Sequence, residues 1–468
     1  MTKDFAIQSS RVLLPHGIKP ATVFVQGGKI SVVLPGVQPV SGMTLLNVGD
    51  LVIMPGIVDS HAHINEPGRT EWEGFETATR AAAAGGITTV IDMPLNSIPA
   101  TTTLEALEIK AASAKGKCAI DYGFWGGLVP ENARSPEILQ AMIDAGVMGF
   151  KAFLIDSGVA EFPKCTEADL RSGMKILAKT GVPLIVHAEL KSPVTNTGSE
   201  EDPRSYDAYL LSRPPKWEVD AIRMMIRLAR ETECPVHIVH LSTAEGVAEI
   251  TAARAEGLAI SVETCPHYLT FASEDIKAGA TRFKCAPPIR ETENRERLWR
   301  AIASGKIQMI VSDHSPCTPE LKEAETGNFS KAWGGISGIQ FSLPVVWTEM
   351  KKRKLALEQL SSWMSANTAY LTGLARQKGK IAQGMDADLV IFNPDEMYKL
   401  TREMIRHRHT ITPYENRILY GKVLKTFVRG ECVYDSTTPI NNTTGLRLPR
   451  VQKDLSPMAK LKSPERKT

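Results

Sequence analysis

Leu51-Val-Ile-Met-Pro-Gly-Ile-Val-Asp-Ser-His-Ala-His63 is an apolar run that ends on two histidines separated by one residue. In an extended segment residues i and i+2 face the same way, so His61 and His63 can present both imidazoles to one cation. A His-x-His pair alone is common; its place at the end of an apolar run behind Pro55-Gly56 makes this one informative. Outward from it, short apolar runs recur over residues 87–92, 147–153, 183–187, 236–240, 259–263 and 307–312. Helix-like stretches lie between them, over 72–84, 135–145, 167–180, 217–232, 244–256 and 292–304. This strand–helix alternation predicts an α/β fold, with a parallel sheet closed into a TIM-type (β/α)8 barrel over residues 55–379.

The two ends of the chain differ from this interior. Residues 21–26 and 29–34 are β-branched runs around Gly27-Gly28, a hairpin signal, and strand character returns at 387–392, 423–428 and 432–434. Residues 1–54 and 380–440 are therefore expected to pair into one small β-sandwich domain bracketing the barrel. Residues 441–468, rich in Lys, Arg, Pro and Ser without periodicity, are expected to form a basic, disordered tail.

Composition sets the outer bounds. With 43% hydrophobic and 23% charged residues in 468, collagen-like and wholly disordered classes are excluded. A net charge of +3 is too balanced for a dedicated nucleic-acid binder. Seven basic and two acidic residues in 447–468 contribute +5 of it and leave −2 for the remainder. The seven cysteines are scattered and never spaced Cys-x-x-Cys, which argues for reduced thiols in a cytoplasmic setting. The N-terminus lacks the apolar core of a secretory signal, and no stretch reaches the roughly 18 apolar residues that span a bilayer. A soluble, cytoplasmic protein with neither nucleic acid nor membrane as partner is expected.

Three more runs end on partners for the histidine pair: His187 in Leu184-Ile-Val-His-Ala, His240 in His237-Ile-Val-His-Leu-Ser, and Asp313 in Ile310-Val-Ser-Asp-His-Ser. In a parallel barrel such ends converge on one face, where catalytic groups collect. Four imidazoles and a carboxylate suit zinc or another borderline divalent ion. Taken singly, each residue reads more readily as a satisfied core histidine or a helix-capping aspartate; it is their recurrence at run ends that favours a shared site. Lys151, inside Gly149-Phe-Lys-Ala-Phe153, is costly to bury as an ammonium. A neutral amine there can add carbon dioxide, and the carbamate (N6-carboxylysine) is an anionic ligand able to bridge two cations. A point charge in the site, or a lysine snorkelling to solvent, is the other reading, and spacing does not decide between them.

Gly56-Ile-Val-Asp-Ser-His-Ala-His63, Gly384-Met-Asp-Ala-Asp-Leu-Val390 and this order of ligands resemble the cyclic-amidohydrolase branch of the amidohydrolase superfamily. That branch includes dihydroorotases, hydantoinases, dihydropyrimidinases and allantoinases. The resemblance spans about residues 10–435 and implies a binuclear metal barrel with a small flanking β-domain. It implies that His61 and His63 bind the more buried metal, that His187 and His240 bind the second, and that carboxylated Lys151 bridges them. Asp313 would complete the first site, with zinc as the expected ion at both. His237 is left as structural, because the family's ligand is the histidine just before Leu-Ser.

The implied reaction is hydrolysis of a cyclic amide. Two cations lower the pKa of a shared water and stabilise charge on the ring carbonyl oxygen. Asp313 would take the water's proton and return it to the leaving ring nitrogen, as general base and then acid. Dihydroorotases carry an arginine two positions after the His-x-His pair, as a carboxylate clamp. Here that position is Asn65, so an uncharged ring is expected. Hydantoinases usually show an aspartate there and a tyrosine after the lysine strand, whereas Lys151 is followed by Ala-Phe-Leu-Ile-Asp-Ser157.

Residues 65–74, 92–97, 284–290, 312–317 and 334–338 resemble allantoinases, which implies allantoin as substrate and allantoate as product. A neutral hydantoin ring with a ureido arm calls for several hydrogen bonds rather than one salt bridge. Asn96 and Ser337 are candidates for such contacts, and His314 either orients Asp313 or touches substrate; plain loop structure is the other reading of all three. Cys317 is expected to line the pocket, since an activated water makes a second nucleophile unnecessary. Met224 and Met225 lie in an amphipathic helix and are read as core. A hydantoinase or dihydropyrimidinase is the first alternative and a dihydroorotase the second. A metal-free assembly protein would show substitutions at the ligand positions, and this chain has none there. The relatives imply a homo-oligomer, by analogy alone.

Overall fold

The computed structural model describes residues 4–193 and 202–451. The interior apolar runs are strands: Ile57–Ala62, Ile87–Asp92, Phe150–Phe153, Leu184–His187, Val236–Ile238, Ile260–Thr264 and Met309–Ile310, every residue of them buried. Burial on both faces is why they read as continuous apolar runs rather than alternating ones. All their mutual pairings are parallel. They fall into a three-stranded sheet, from Ile57–Ala62 to Asp121–Phe124, and a six-stranded sheet, from Gly126–Gly127 to Met309–Ile310. Asp121–Phe124 and Gly126–Gly127 are parted only by Trp125, so one stretch of chain joins the two sheets. At the other side, a parallel bridge pairs Ala62 with His314, and His63 N–H donates to the His314 carbonyl at 2.7 Å.

Helices Phe75–Ala84, Pro136–Asp144, Glu167–Leu177, Pro215–Thr232, Gly246–Ala255 and Thr292–Ala303 occupy the stretches between strands. Met225 is buried in the core beneath Pro215–Thr232, and Met224 packs half-buried against it. Several interior elements do not stand out in the sequence. Asp121–Phe124 carries Asp, Tyr and Gly in succession, and the Leu104–Ala114 helix buries the polar Lys110 beside three alanines and a leucine.

The strands from the two ends form one eight-stranded sheet. Phe5–Leu14 pairs antiparallel with Gly17–Gln26, and parallel with Thr44–Asn47 and Val52–Pro55. A register shift between Ser9 and Val12 lets this strand serve two neighbours on one side. Val52–Pro55 then pairs antiparallel with Leu389–Lys399, which continues to Ile418–Val428 and Glu431–Asp435. At the hairpin tip Gln26 faces Lys29, and Gly27 and Gly28 take φ of 57° and 81°, the left-handed geometry that this two-residue turn demands.

A buried charge cluster ties this sheet to the parallel strands. The Lys378 ammonium donates to Asp121 at 2.7 Å and Asp388 at 2.8 Å and lies 3.0 Å from Asp386, while Arg429 also binds Asp121. Asp386 and Asp388 are the two aspartates of Gly384-Met-Asp-Ala-Asp, so that motif holds a structural joint.

Residues 441–451 are not a free tail. Tyr122 N–H donates to the Leu446 carbonyl at 3.0 Å, Leu448 N–H returns to the Tyr122 carbonyl at 2.7 Å, and Arg450 N–H reaches the Gly146 carbonyl at 3.1 Å. The Arg450 guanidinium donates to the carbonyls of Met148 and Leu371. A Cβ on Gly445 would collide with the Ile120 carbonyl, so the approach suits glycine. Backbone hydrogen bonding, which composition does not encode, anchors this segment. The rest of the expected tail, 452–468, lies outside the described residues.

Candidate active site

Every expected ligand but Lys151 comes from the carboxyl end of a parallel strand or from just beyond it. His61 lies near the end of Ile57–Ala62 with His63 just beyond; Lys151 is within Phe150–Phe153, His187 ends Leu184–His187, His240 follows Val236–Ile238 by two residues, and Asp313 follows Met309–Ile310 by three. All six are buried. Asp313 Oδ1 lies 3.1 Å from His61 Nε2 and 3.5 Å from His63 Nε2. The His240 ring sits 5.4 Å from that of His61 and 4.5 Å from that of His187. His63, Lys151, His187, His240 and Asp313 share one cavity of about 550 Å³. His240 and Asp313 take φ of 39° and 43°, a left-handed backbone that costs a non-glycine residue energy and recurs at functional sites.

Neighbouring carboxylates orient the imidazoles. His61 Nδ1–H donates to Glu263 Oε1 at 2.6 Å, which turns Nε2 toward Asp313. His237 is held between Glu263 at 3.0 Å and Ser261 at 2.7 Å, which makes it structural. His187 Nε2 bonds Glu189 at 2.7 Å, and Glu189 also accepts from Arg213. Glu189 and Glu263 are functional residues the sequence reading passes over. Their signal was present, since each is a carboxylate set in a buried strand or at its exit.

The electrostatics follow from burial and pairing. Burial pushes His63 down to about 4 and His240 well below its usual range, and lowers His187 too, so these three are neutral near pH 7. Burial opposes a charge on His61 as well, but Asp313 and Glu263 outweigh it and raise that imidazole. Burial would raise Asp313, yet His61, His63 and His240 hold it well below the usual carboxylate range. Burial pulls Lys151 down to about 8.

Asn96 lines the cavity, with its amide 3.5 Å from His63 Nδ1. His314 and Ser337 do not. His314 is fully buried, its Nε2 3.2 Å from Glu73 and its Nδ1 accepting from Gly338 N–H, and the Ser337 carbonyl accepts from Thr412. Of the three expected substrate contacts, Asn96 is the one on the cavity wall. Cys317 and Asn65 are buried outside that wall, with Asn65 donating to the Pro316 carbonyl. The wall is completed by groups the sequence did not single out, among them Phe153, Tyr209, Arg213, Lys284, Phe329 and Trp333.

This donor set fits cations. His61, His63 and Asp313 present ligand atoms within 4.8 Å of one another, and His61 Nε2 and His240 Nδ1 are buried without a hydrogen-bond partner. Imidazoles, an aspartate and a buried lysine gathered on one cavity of the parallel strands are the donor set of a metal-dependent hydrolase. The chain belongs to the amidohydrolase family, whose sequence profile matches residues 52–433. It is 48% identical to an allantoinase of Streptomyces avermitilis over 92% of this chain and 95% of that one. It is 45% identical to an allantoinase of Arabidopsis thaliana (92% and 87% covered) and 43% identical to one of Saccharomyces cerevisiae (94% and 97%). Among solved structures, the L-hydantoinase (dihydropyrimidinase) of Arthrobacter aurescens superposes with a TM-score of 0.89 at 31% identity, covering 96% of this chain and 100% of that one.

Proposed function

We propose that this chain opens the ring amide of allantoin to give allantoate. The observation that carries the reading is its 43–48% identity to allantoinases of a bacterium, a plant and a yeast along more than nine-tenths of its length. In this reading the parallel strands close as a (β/α)8 barrel and the terminal sheet folds over as a sandwich. The chain assembles as a homo-oligomer in the cytoplasm. All seven cysteines are free and buried, which suits a reducing compartment, and among the described residues no helix is long and apolar enough to cross a membrane.

His61, His63 and Asp313 would hold one cation and His187 and His240 the other, with Lys151, as its carbamate, supplying a further anionic oxygen ligand. Zinc suits this imidazole-rich set with oxygen donors. When bound, the cations acidify a water and draw electron density from the ring carbonyl. Asp313, ionised at neutral pH, accepts the proton that the attacking water gives up. It then delivers that proton to the ring nitrogen as the C–N bond breaks. Asn96, beside His63, offers the ring an amide donor and acceptor. His314 acts through Asp313: clamped between Glu73 and Gly338, it fixes the turn that aims the aspartate.

A hydantoinase or dihydropyrimidinase is the second reading, favoured by the solved-structure likeness. A ring-opening assay against allantoin, dihydrouracil, hydantoin and dihydroorotate separates the two. Turnover of allantoin at least tenfold above the others is expected; turnover of dihydrouracil with none of allantoin would overturn the assignment.

A further inference from the structure

Beside Asp313, the strand Ile260–Thr264 runs into Cys265-Pro-His267. The Cys265 sulfur, a His267 ring nitrogen and an Asp313 oxygen all lie within 4.8 Å of one another, and all three residues are buried. Both His267 nitrogens are without a hydrogen-bond partner, although the ring is fully enclosed. A buried imidazole with neither nitrogen satisfied is costly, and the reading above gives it no task. Tyr268, packed against that ring at 4.2 Å, spends its own hydroxyl on the Pro287 carbonyl and offers it nothing.

We propose that Cys265, His267 and Asp313 form a third, thiophilic cation site that inhibits the enzyme by taking Asp313. The ligand class is a soft divalent ion such as Zn²⁺ or Cd²⁺. One thiolate, one carboxylate and one neutral imidazole cancel its charge, and a thiolate selects against Mg²⁺ and Ca²⁺. Tetrahedral zinc sets its ligand atoms roughly 3.3–3.8 Å apart, so side-chain rotation of about an ångström closes the present spacing. Binding replaces the Cys265 S–H bond with a sulfur–metal bond and releases that proton to solvent. Asp313 then keeps its charge but loses the lone pair that would accept a proton from water. The inhibitory half of this proposal rests on the general-base role given to Asp313 above; the binding half does not.

Full-length protein carrying two equivalents of Zn²⁺ is titrated with Cd²⁺ while the ultraviolet sulfur-to-cadmium band and allantoin turnover are read together. A third equivalent is expected to raise the band and cut turnover at least tenfold in the same titration. Cys265→Ser is expected to abolish the band, and His267→Gln to weaken binding about 10–100-fold. Both variants are expected to resist the added cation. No band, or a band that persists in Cys265→Ser, overturns the site. A band with undiminished turnover overturns the claim on Asp313. A protein that shows the band but never opened allantoin leaves the site standing and counts instead against the assigned function.

Discussion

His61 Nδ1 lies 2.6 Å from Glu263 Oε1, and that contact fixes which nitrogen His61 turns toward Asp313. Glu263 also holds His237, so one buried carboxylate sets two imidazoles and is itself kept ionised: burial would raise it, but His61 and His237 bring it down to about 2. Glu263→Gln removes the charge that favours this tautomer. Cation affinity at the His61 site is expected to fall ~10–100-fold, while the His187–His240 site keeps its ion. Equilibrium dialysis with elemental analysis checks this; two retained equivalents at unchanged affinity would show that Glu263 is only packing.

The carbamate proposed for Lys151 would form in a pH-dependent way. Carbon dioxide adds only to the neutral amine. Burial lowers this lysine to about 8, so about a tenth is neutral at pH 7, against roughly one part in 3,000 for an exposed lysine. At a fixed concentration of dissolved CO2, carbamylation of the metal-free chain is expected to rise about tenfold from pH 6 to pH 7 and to level off above pH 8. A ¹³C carbamate resonance after incubation with ¹³CO2 reports it, and Lys151→Arg serves as the blank. A resonance that ignores pH across this range would remove the amine from the argument.

Much of this centre is legible in the sequence, for a physical reason. Strands buried on both faces read as apolar runs, and a His, Lys or Asp at the end of such a run is conspicuous. His61, His63, Lys151, His187, His240 and Asp313 were visible in that way, and the structure gathers them. The residues that orient them were harder to see. Glu263 gains its meaning from His61 and His237 on other strands, and Glu189 from a side-chain bond to His187 two residues before it and from Arg213. Ser337 and His314 sit in loops whose partners, Thr412 and Glu73, are distant in sequence, so their neighbourhood left open whether they meet the cavity. Residues 441–451 read as a tail because backbone hydrogen bonds leave no trace in composition.

Lys378 tests the joint between the terminal sheet and the parallel strands. Its ammonium is fully buried among Asp121, Asp386 and Asp388. Burial opposes its charge, but the three carboxylates win and raise its pKa. A raised folded-state value means the stabilisation is whole below the ordinary lysine pKa and is lost only as pH climbs through the folded value. Lys378→Met removes the cation shared by three buried carboxylates, leaving Arg429 on Asp121 and Lys29 on Asp386, and is expected to cost about 3–5 kcal/mol in urea unfolding at pH 7. Measured at pH 6 to 9, the loss should be nearly constant; a variant as stable as the parent would mean the cluster is solvated and the joint lies elsewhere.

Asp313→Asn separates the two tasks given to that residue. Asparagine keeps an oxygen that can face His61 and His63, so it can still act as a weak cation ligand. It cannot accept a proton. With both equivalents of metal verified in the variant, allantoin turnover is expected to fall ~10²–10⁴-fold, the usual worth of a positioned general base. The native carboxylate is held well below its usual range by His61, His63 and His240 against the cost of burial, so it stays ionised down to low pH. Any acid limb in the native pH profile therefore belongs to another group, and the variant should keep that limb at reduced height. If the metal-loaded variant turns over within tenfold of the parent, another group moves the proton and Asp313 serves the cation alone.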